Sequence, residues 1–165
     1  MMSKRTGKSA ARIIVGLISD THGLLRPEAV AALRNSNLII HCGDIGDPAI
    51  LEGLREIAPV RAIRGNNDRG GWASALPPHD VVKVGDQRIQ VLHNLAELEL
   101  DPDAAGLTAV VFGHSHKPVI EKRGKVLFVN PGSAGPRRFK LPVTVARLAL
   151  GSGHRCDAEI VQLVV

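Results

Sequence analysis

The sequence predicts an α/β protein, two packed β-sheets flanked by helices, and two observations carry the prediction. Through the first half, short β-rich runs alternate with helical patterns, the signature of a parallel sheet. In the second half, turn dipeptides separate alternating apolar runs, the signature of hairpins. A chain of 165 residues buries about 70% of its unfolded surface, enough for a real core, so residues 12–165 are read as a single domain.

The elements follow in order. Strand Ile13–Ile18 leads to a helix over 28–35, then strand Leu38–His41, a helix over 48–58 and a strand over 60–63. Pro27 and Pro48 stand where those helices begin, because proline is tolerated in the first helical turn. Gly85-Asp86 joins strands 80–84 and 88–93 as a hairpin. A short buried strand covers 110–112, and Arg123-Gly124-Lys125 joins strands 119–122 and 126–129. A third hairpin pairs 143–150 with 158–164 across Gly151-Ser152-Gly153. The second half is thus expected to be mostly antiparallel.

Composition narrows the function classes. The apolar fraction is 44%, but no uninterrupted apolar run approaches the roughly 20 residues a bilayer requires, so no membrane span is expected. Cys42 and Cys156 lie far apart, and Cys42 sits in an apolar run, which suits a reducing compartment. The apolar run after the basic N-terminus is short for a secretory leader, and a cytoplasmic location is expected. The formal charge is +5. Lys4, Arg5, Lys8 and Arg12 account for all but one of these charges, since residues 1–12 contain no Asp or Glu. Residues 1–11 are read as a basic, disordered tail on a nearly neutral body. With aromatics at 2% and no Tyr, little is left to stack on bases, so nucleic acid is not an expected partner.

The chemistry concentrates at strand ends. Asp20, Asp44, Asn66 and His114 each lie just beyond the apolar run they follow, and His93 closes strand 88–93. The carboxyl ends of parallel strands share one edge of the sheet, so residues distant in sequence meet there. Gly43, Gly65 and Gly113 directly precede three of these residues, where glycine permits a sharp turn and close backbone approach. With His22 and His116, the set is two Asp, one Asn and four His. Mixed nitrogen and oxygen donors suit Mn, Fe, Zn, Ni or Co rather than Ca or Mg alone. Seven ligands exceed one tetrahedral ion and fit two ions sharing a carboxylate. Singly, each motif reads as a turn or a cap; their ordered coincidence at five strand ends carries the inference.

Read in order, these motifs resemble the calcineurin-like metallophosphoesterase superfamily, and within it the small YfcE-like branch. Asp20-Thr21-His22 is similar to its D-x-H, Gly43-Asp44 to its G-D, Gly65-Asn66-Asn67-Asp68 to its G-N-x-D, and Gly113-His114-Ser115-His116 to its G-H-x-H. His93 stands where the family has a histidine after a hairpin strand, and Asn130-Pro131-Gly132-Ser133 resembles a turn packed near the site. The resemblance implies a four-layer sandwich and a dinuclear centre. Asp20, His22 and His116 would serve the first ion, Asn66, His93 and His114 the second, and Asp44 would bridge them. Asp44, Asn66 and His114 are the expected catalytic residues, with Asp68 orienting its neighbours from behind. The cofactors implied are two divalent ions, Mn first, with Ni, Zn, Fe, Co or Mg as alternatives. Such ions bring four positive charges and ionised Asp20 and Asp44 return two, leaving about +2 for an anionic phosphate.

The implied activity is hydrolysis of a small phosphate ester, foremost a diester, by in-line attack of a hydroxide bridging the two ions. Two departures accompany the resemblance. Asn67 stands where many members carry an assisting His, and Asn94 follows His93 where Gly is usual. The first keeps a second reading open, a non-catalytic metal-binding scaffold of the same fold that binds partner proteins. Relatives also imply a homo-oligomer, a dimer or larger. Outside the site, His41, His79 and His154 are read as structural or solvent-facing, and Trp72 as a loop residue that either packs or overhangs the metals. Arg137 and Arg138 are read as a solvated pair, with a phosphate-holding role as the alternative.

Overall fold

A computed structural model describes residues 12–165. The basic tail, residues 1–11, lies outside the described residues. Among the described residues ten strands form two five-stranded sheets. In the first, β1 (Ile13–Ile18) lies at the centre between β2 (Leu38–His41) and β9 (Thr144–Leu150), with β3 (Val60–Ala62) and β10 (Cys156–Gln162) at the edges. β1 and β2 are parallel, with Ile18 opposite His41, as are β2 and β3, while β9 runs antiparallel to both β1 and β10.

The second sheet has the order β4 (His79–Val84), β5 (Gln87–Leu92), β6 (Ala109–Val111), β8 (Val126–Asn130), β7 (Val119–Arg123). The hairpins are where the turns place them and the second half is mostly antiparallel as expected, but β5, β6 and β8 run parallel to one another, an arrangement no turn dipeptide announces. The crossover over 93–108 returns the chain to start β6 beside β5 in the same direction. As a result β5 and β6 deliver their carboxyl ends to one edge, which brings His93 near His114.

Alternation along the strands explains the layers. Val15 and Leu17 of β1 and Ile40 of β2 pack against Ile89 and Val91 of β5 and Val111 of β6, filling the space between the sheets. The opposite face of the first sheet, Ile18, Ile39 and Val145, is covered by α1 (Pro27–Leu33) and α2 (Pro48–Arg55). In α2, Ile50, Leu51 and Leu54 are buried, the one-face spacing of an amphipathic helix. Burying each such side chain is worth about 1.5–3 kcal/mol. Asp47 caps α2 by accepting from Ala49 N at 2.9 Å, and Pro48 occupies its first turn. Helix α1 ends before Asn35, whose φ of 68° no helix accommodates.

The outer face of the second sheet is covered differently. Leu92, Val110, Phe112, Val126 and Phe128 lie under Leu95, Leu98, Ala105 and Leu107, so the fourth layer is an irregular segment with one 3₁₀ turn, Leu95–Glu97, rather than a helix. Trp72 sits in a short helix, α3 (Gly71–Ser74), and packs on the cluster under α1 and α2, which fits packing rather than an overhang. Among the described residues no helix is long and apolar enough to cross a membrane.

Candidate metal centre

β1, β2, β3, β5 and β6 each end at one edge, and the loops leaving them carry the predicted residues. Asp20, His22, Asp44, His93 and His116 converge. Asp20, His22 and His116 form one group with potential ligand atoms within 4.8 Å of one another, and Asp20, Asp44 and His93 form another. His93 Nε2 lies 3.2 Å from Asp44 Oδ2 and 3.7 Å from Asp20 Oδ1. His22 Nε2 lies 3.8 Å from both carboxylates, and His116 Nε2 lies 3.4 Å from Asp20 Oδ1. Asn66 and His114 are exposed, and His114 stands outside these two groups. They line an adjoining cleft of about 300 Å³ with His93, Arg64 and Glu97, and the His114 ring meets the His93 ring edge-on at 5.2 Å.

Backbone strain coincides with the cluster. Asp20, His22, Asp44, His114 and His116 are five of the seven non-glycine residues with positive φ among the described residues. Each such conformation costs about 1–2 kcal/mol and persists only where the surroundings enforce it. Close backbone approach enforces it here: a Cβ on Gly65 would collide with Asp44, and one on Gly113 with Ser19 and Asp20.

The inner atoms of the cluster lack partners. Asp20 Oδ2 is satisfied by Ser19 Oγ at 2.7 Å and His114 N at 3.2 Å, but Asp20 Oδ1 is buried without a hydrogen bond. His22 Nε2, His93 Nε2 and His116 Nδ1 are buried and unpartnered as well. Leaving such an atom unsatisfied costs about 1–3 kcal/mol. His93 is the most telling. Its Nδ1–H donates to Cys42 O at 2.7 Å, so the neutral ring turns the lone pair of Nε2 toward the carboxylate oxygens of Asp44 and Asp20. Lone pair against carboxylate is repulsive unless a cation lies between. The residues present therefore fit a bound metal ion.

The electrostatics agree. Burial pushes the Asp44 carboxyl up, but the His93 ring and the Asn67 amides outweigh it and hold the group below the usual range. Burial likewise opposes the Asp20 charge, and His116, Ser19 and His93 overcome it. Burial depresses the His22 imidazole and keeps it neutral, the form that binds metal. For His93 burial works against the proton, yet the two carboxylates win and raise its pKa. Proton and metal thus compete at this nitrogen.

The supporting residues were only partly visible in the sequence. Asp68 accepts from Ile45 N, Gly46 N and Gly65 N at 3.2, 2.9 and 2.8 Å, joining the Asp44 loop to the Asn66 loop. Asn67 donates to Asp44 twice, from its backbone N at 2.9 Å and its side-chain amide at 3.0 Å. The Asn130–Ser133 turn packs beneath the site, with Asn130 Nδ2 donating to Gly113 O and Ser133 Oγ to Asp20 O, each at 3.0 Å. Ser19, directly before Asp20, was missed, although its adjacency was a usable signal. His41 and Thr21 carry no such signal, because their contact exists only once β1 and β2 pair.

His41 is fully buried with both nitrogens engaged. Thr21 Oγ1 gives its proton to Ile45 O at 2.8 Å, so it accepts from His41 Nε2–H at 3.0 Å, and His41 Nδ1 accepts from Gly43 N at 3.1 Å. Burial lowers this histidine to about 4 from an ordinary 6.5. A depressed histidine leaves the fold at full stability above pH 6.5. Stability is lost as pH falls toward 4, because the unfolded chain takes the proton first. Metal-free protein is therefore expected to lose about 2–3 kcal/mol through His41 between pH 7 and pH 4.5. Urea unfolding of wild type and His41→Gln at both pH values checks this. Equal pH sensitivity in the two proteins would contradict it.

Comparison with known proteins agrees with this geometry. A family model described as the Calcineurin-like phosphoesterase superfamily domain matches residues 13–153, and the chain belongs to that superfamily. Within it the chain falls in the small YfcE-like branch. It is similar to a Methanothermobacter thermautotrophicus protein named "Probable metallophosphoesterase", 32% identical over 163 residues, covering 91% of this chain and 92% of the relative. It is also similar to "Phosphodiesterase YfcE" of Escherichia coli, 35% identical over 91 residues, covering 51% of this chain and 50% of that protein. Among solved structures, an archaeal phosphodiesterase shares the fold with a TM-score of 0.76 and 24% identity, over 92% of this chain and 100% of that one. So does Vacuolar Protein Sorting 29 of Cryptosporidium parvum, with a TM-score of 0.73 and 19% identity, over 92% and 98%.

Proposed function

We propose that the protein is a metal-dependent phosphodiesterase working at a dinuclear centre. The observation that carries the reading is the convergence of unpartnered buried atoms from Asp20, His22 and His93, with His116 Nε2 3.4 Å from Asp20 Oδ1. Asp20, His22, Asp44 and His116 would hold one ion, and Asp44, Asn66, His93 and His114 the other. Two divalent ions bound there, Mn foremost and Ni, Zn, Fe, Co or Mg otherwise, supply positive charge for the phosphate and lower the pKa of water toward about 7.

The chain does the rest. Asp20 and Asp44 stay ionised at neutral pH and so present the two negative charges a dication needs. Cys42 O fixes the His93 tautomer, and Asn67 and Ser19 hold the carboxylates in place. Asn66 and His114 border the cleft through which a phosphate ester reaches the centre, which suits them to orient it. Asp68 keeps the Asp44 and Asn66 loops in register from behind.

Asn67 sets the substrate preference. Its amide is committed to Asp44 and it has no proton to give, so a leaving alkoxide takes its proton from water. Aryl diesters, which leave without help, are favoured over alkyl monoesters. Hydrolysis of bis(p-nitrophenyl) phosphate by metal-stripped protein, with each metal added back, tests both points. Release is expected only with metal, to fall about 10²-fold or more in His116→Ala, and to exceed that of an alkyl monoester about tenfold. Equal diester and monoester rates would remove the basis for the preference. Asn67 also favours the second reading, the partner-binding scaffold, which predicts metal binding but no release with any metal.

A further inference from the structure

The loop after the Asn130–Ser133 turn is anchored beside the metal centre and free at its tip. Ala134 N donates to Ser19 O at 3.1 Å, and a Cβ on Gly135 would run into the Asp20 and Thr21 carbonyls. Residues 136–140 are exposed. Leu141 N donates to Arg138 O at 3.1 Å, closing a turn with Phe139 at its first corner. Phe139 has a φ of 53° and is 92% exposed. A turn corner at positive φ calls for Gly, Asn or Asp. Packing among the described residues does not explain the phenyl ring either, since Phe139 belongs to none of their three apolar clusters.

What faces this ring leads back to the centre. Phe139, Lys140 and Leu141 border a groove of about 750 Å³ whose other wall is Ser115 and Lys117, the two neighbours of His116. Lys117 and Lys140 line the groove, exposed Arg137 and Arg138 directly precede Phe139, and neither 113–120 nor 129–150 contains an Asp or Glu.

We propose that this rim is the specificity site of the enzyme and that its occupant is a nucleotide. Phe139 stacks on the base, while Lys117, Arg137 and Arg138 hold a phosphate beside the scissile one. The inference rests on the phosphodiesterase reading. A flat aromatic platform that no described residue covers matches a base, and four cations without a salt-bridge partner among the described residues exceed what a singly charged diester requires. The substrate class is a nucleotide diester with at least one further phosphate, such as a 5′-phosphorylated dinucleotide. One stacking ring suits a single nucleotide rather than a tract of nucleic acid.

Two readouts test this in the full chain. The first is the calorimetric Kd of thymidine 3′,5′-bisphosphate against that of inorganic phosphate. The second is kcat/KM for 5′-phosphorylated dithymidine relative to bis(p-nitrophenyl) phosphate. Phe139→Ala and Phe139→Leu are each expected to weaken the bisphosphate about tenfold while shifting inorganic phosphate less than twofold. The kcat/KM ratio should fall by a similar factor, and the paired Arg137→Ala, Arg138→Ala variant should weaken the bisphosphate about tenfold with a smaller salt dependence. Lys83→Ala, on the far sheet edge, should match wild type. An unchanged bisphosphate Kd in Phe139→Ala would overturn the proposal, including the case where that variant instead dissolves a dimer. If wild type hydrolyses neither ester with any metal, the phosphodiesterase reading fails, and the Kd values alone decide the rim.

Discussion

Asp44→Asn is expected to lower kcat/KM for bis(p-nitrophenyl) phosphate by about 10³-fold while the protein stays folded. Asp44 lies between the two halves of the centre, 3.2 Å from His93 and 3.8 Å from His22. Asparagine keeps its size and shape but removes one of the two buried negative charges, so both ions would be held more weakly. The metal-free variant should be less stable than wild type above pH 4 and converge with it at lower pH. The ionised carboxylate, held below its usual range, contributes stability that is present above its unfolded pKa and lost as pH falls through the folded value. The kinetic measurement belongs with a count of bound metal by mass spectrometry. A loss of tenfold or less, with two ions still bound per chain, would show that Asp44 is not shared between them.

Gly65→Ala is expected to give the largest stability loss, about 3 kcal/mol, seen as a fall in Tm of roughly 6–12 °C. The added methyl would overlap Asp44 Oδ1 and its backbone N and approach Cγ to 2.9 Å. Asp44 cannot retreat easily, because Asn67 and the loop held by Asp68 fix it on both sides. Gly71→Ala provides the contrast. It opens α3 at ordinary φ, nothing lies within 4 Å of its would-be Cβ, and alanine there should be neutral or slightly stabilising. Thermal melts of the metal-free proteins check both, and matching Tm values for the two variants would contradict the steric account.

The strands and the two main helices were legible because their apolar periodicity and their prolines are local signals. Pairing was less so: nothing between His93 and Thr108 announces that the chain crosses over to make β6 parallel to β5. The irregular cover over Phe112 and Phe128 was hidden for the same reason, since it depends on which face needs covering. At the site, strand-end Asp and His residues after Gly43, Gly65 and Gly113 were readable, because glycine before a polar residue marks a tight approach. The strained φ values at Asp20, His22 and Asp44 were not, and neither was the Thr21–His41 pair that spans β1 and β2. Asn67 was read only as a missing histidine, whereas its amide steadies Asp44. Phe139 carries no signal in the sequence, since an aromatic in a loop becomes informative only through its exposure beside Lys117 and Lys140.

The central claim is that two ions sit among these seven residues, and anomalous diffraction from crystals grown with Mn tests it most directly. The account predicts two peaks per chain, one beside Asp20, His22 and His116 and one beside Asp44 and His93, with the second reached by Asn66 and His114. No peak, or a single peak that touches neither Asp20 nor Asp44, would contradict it.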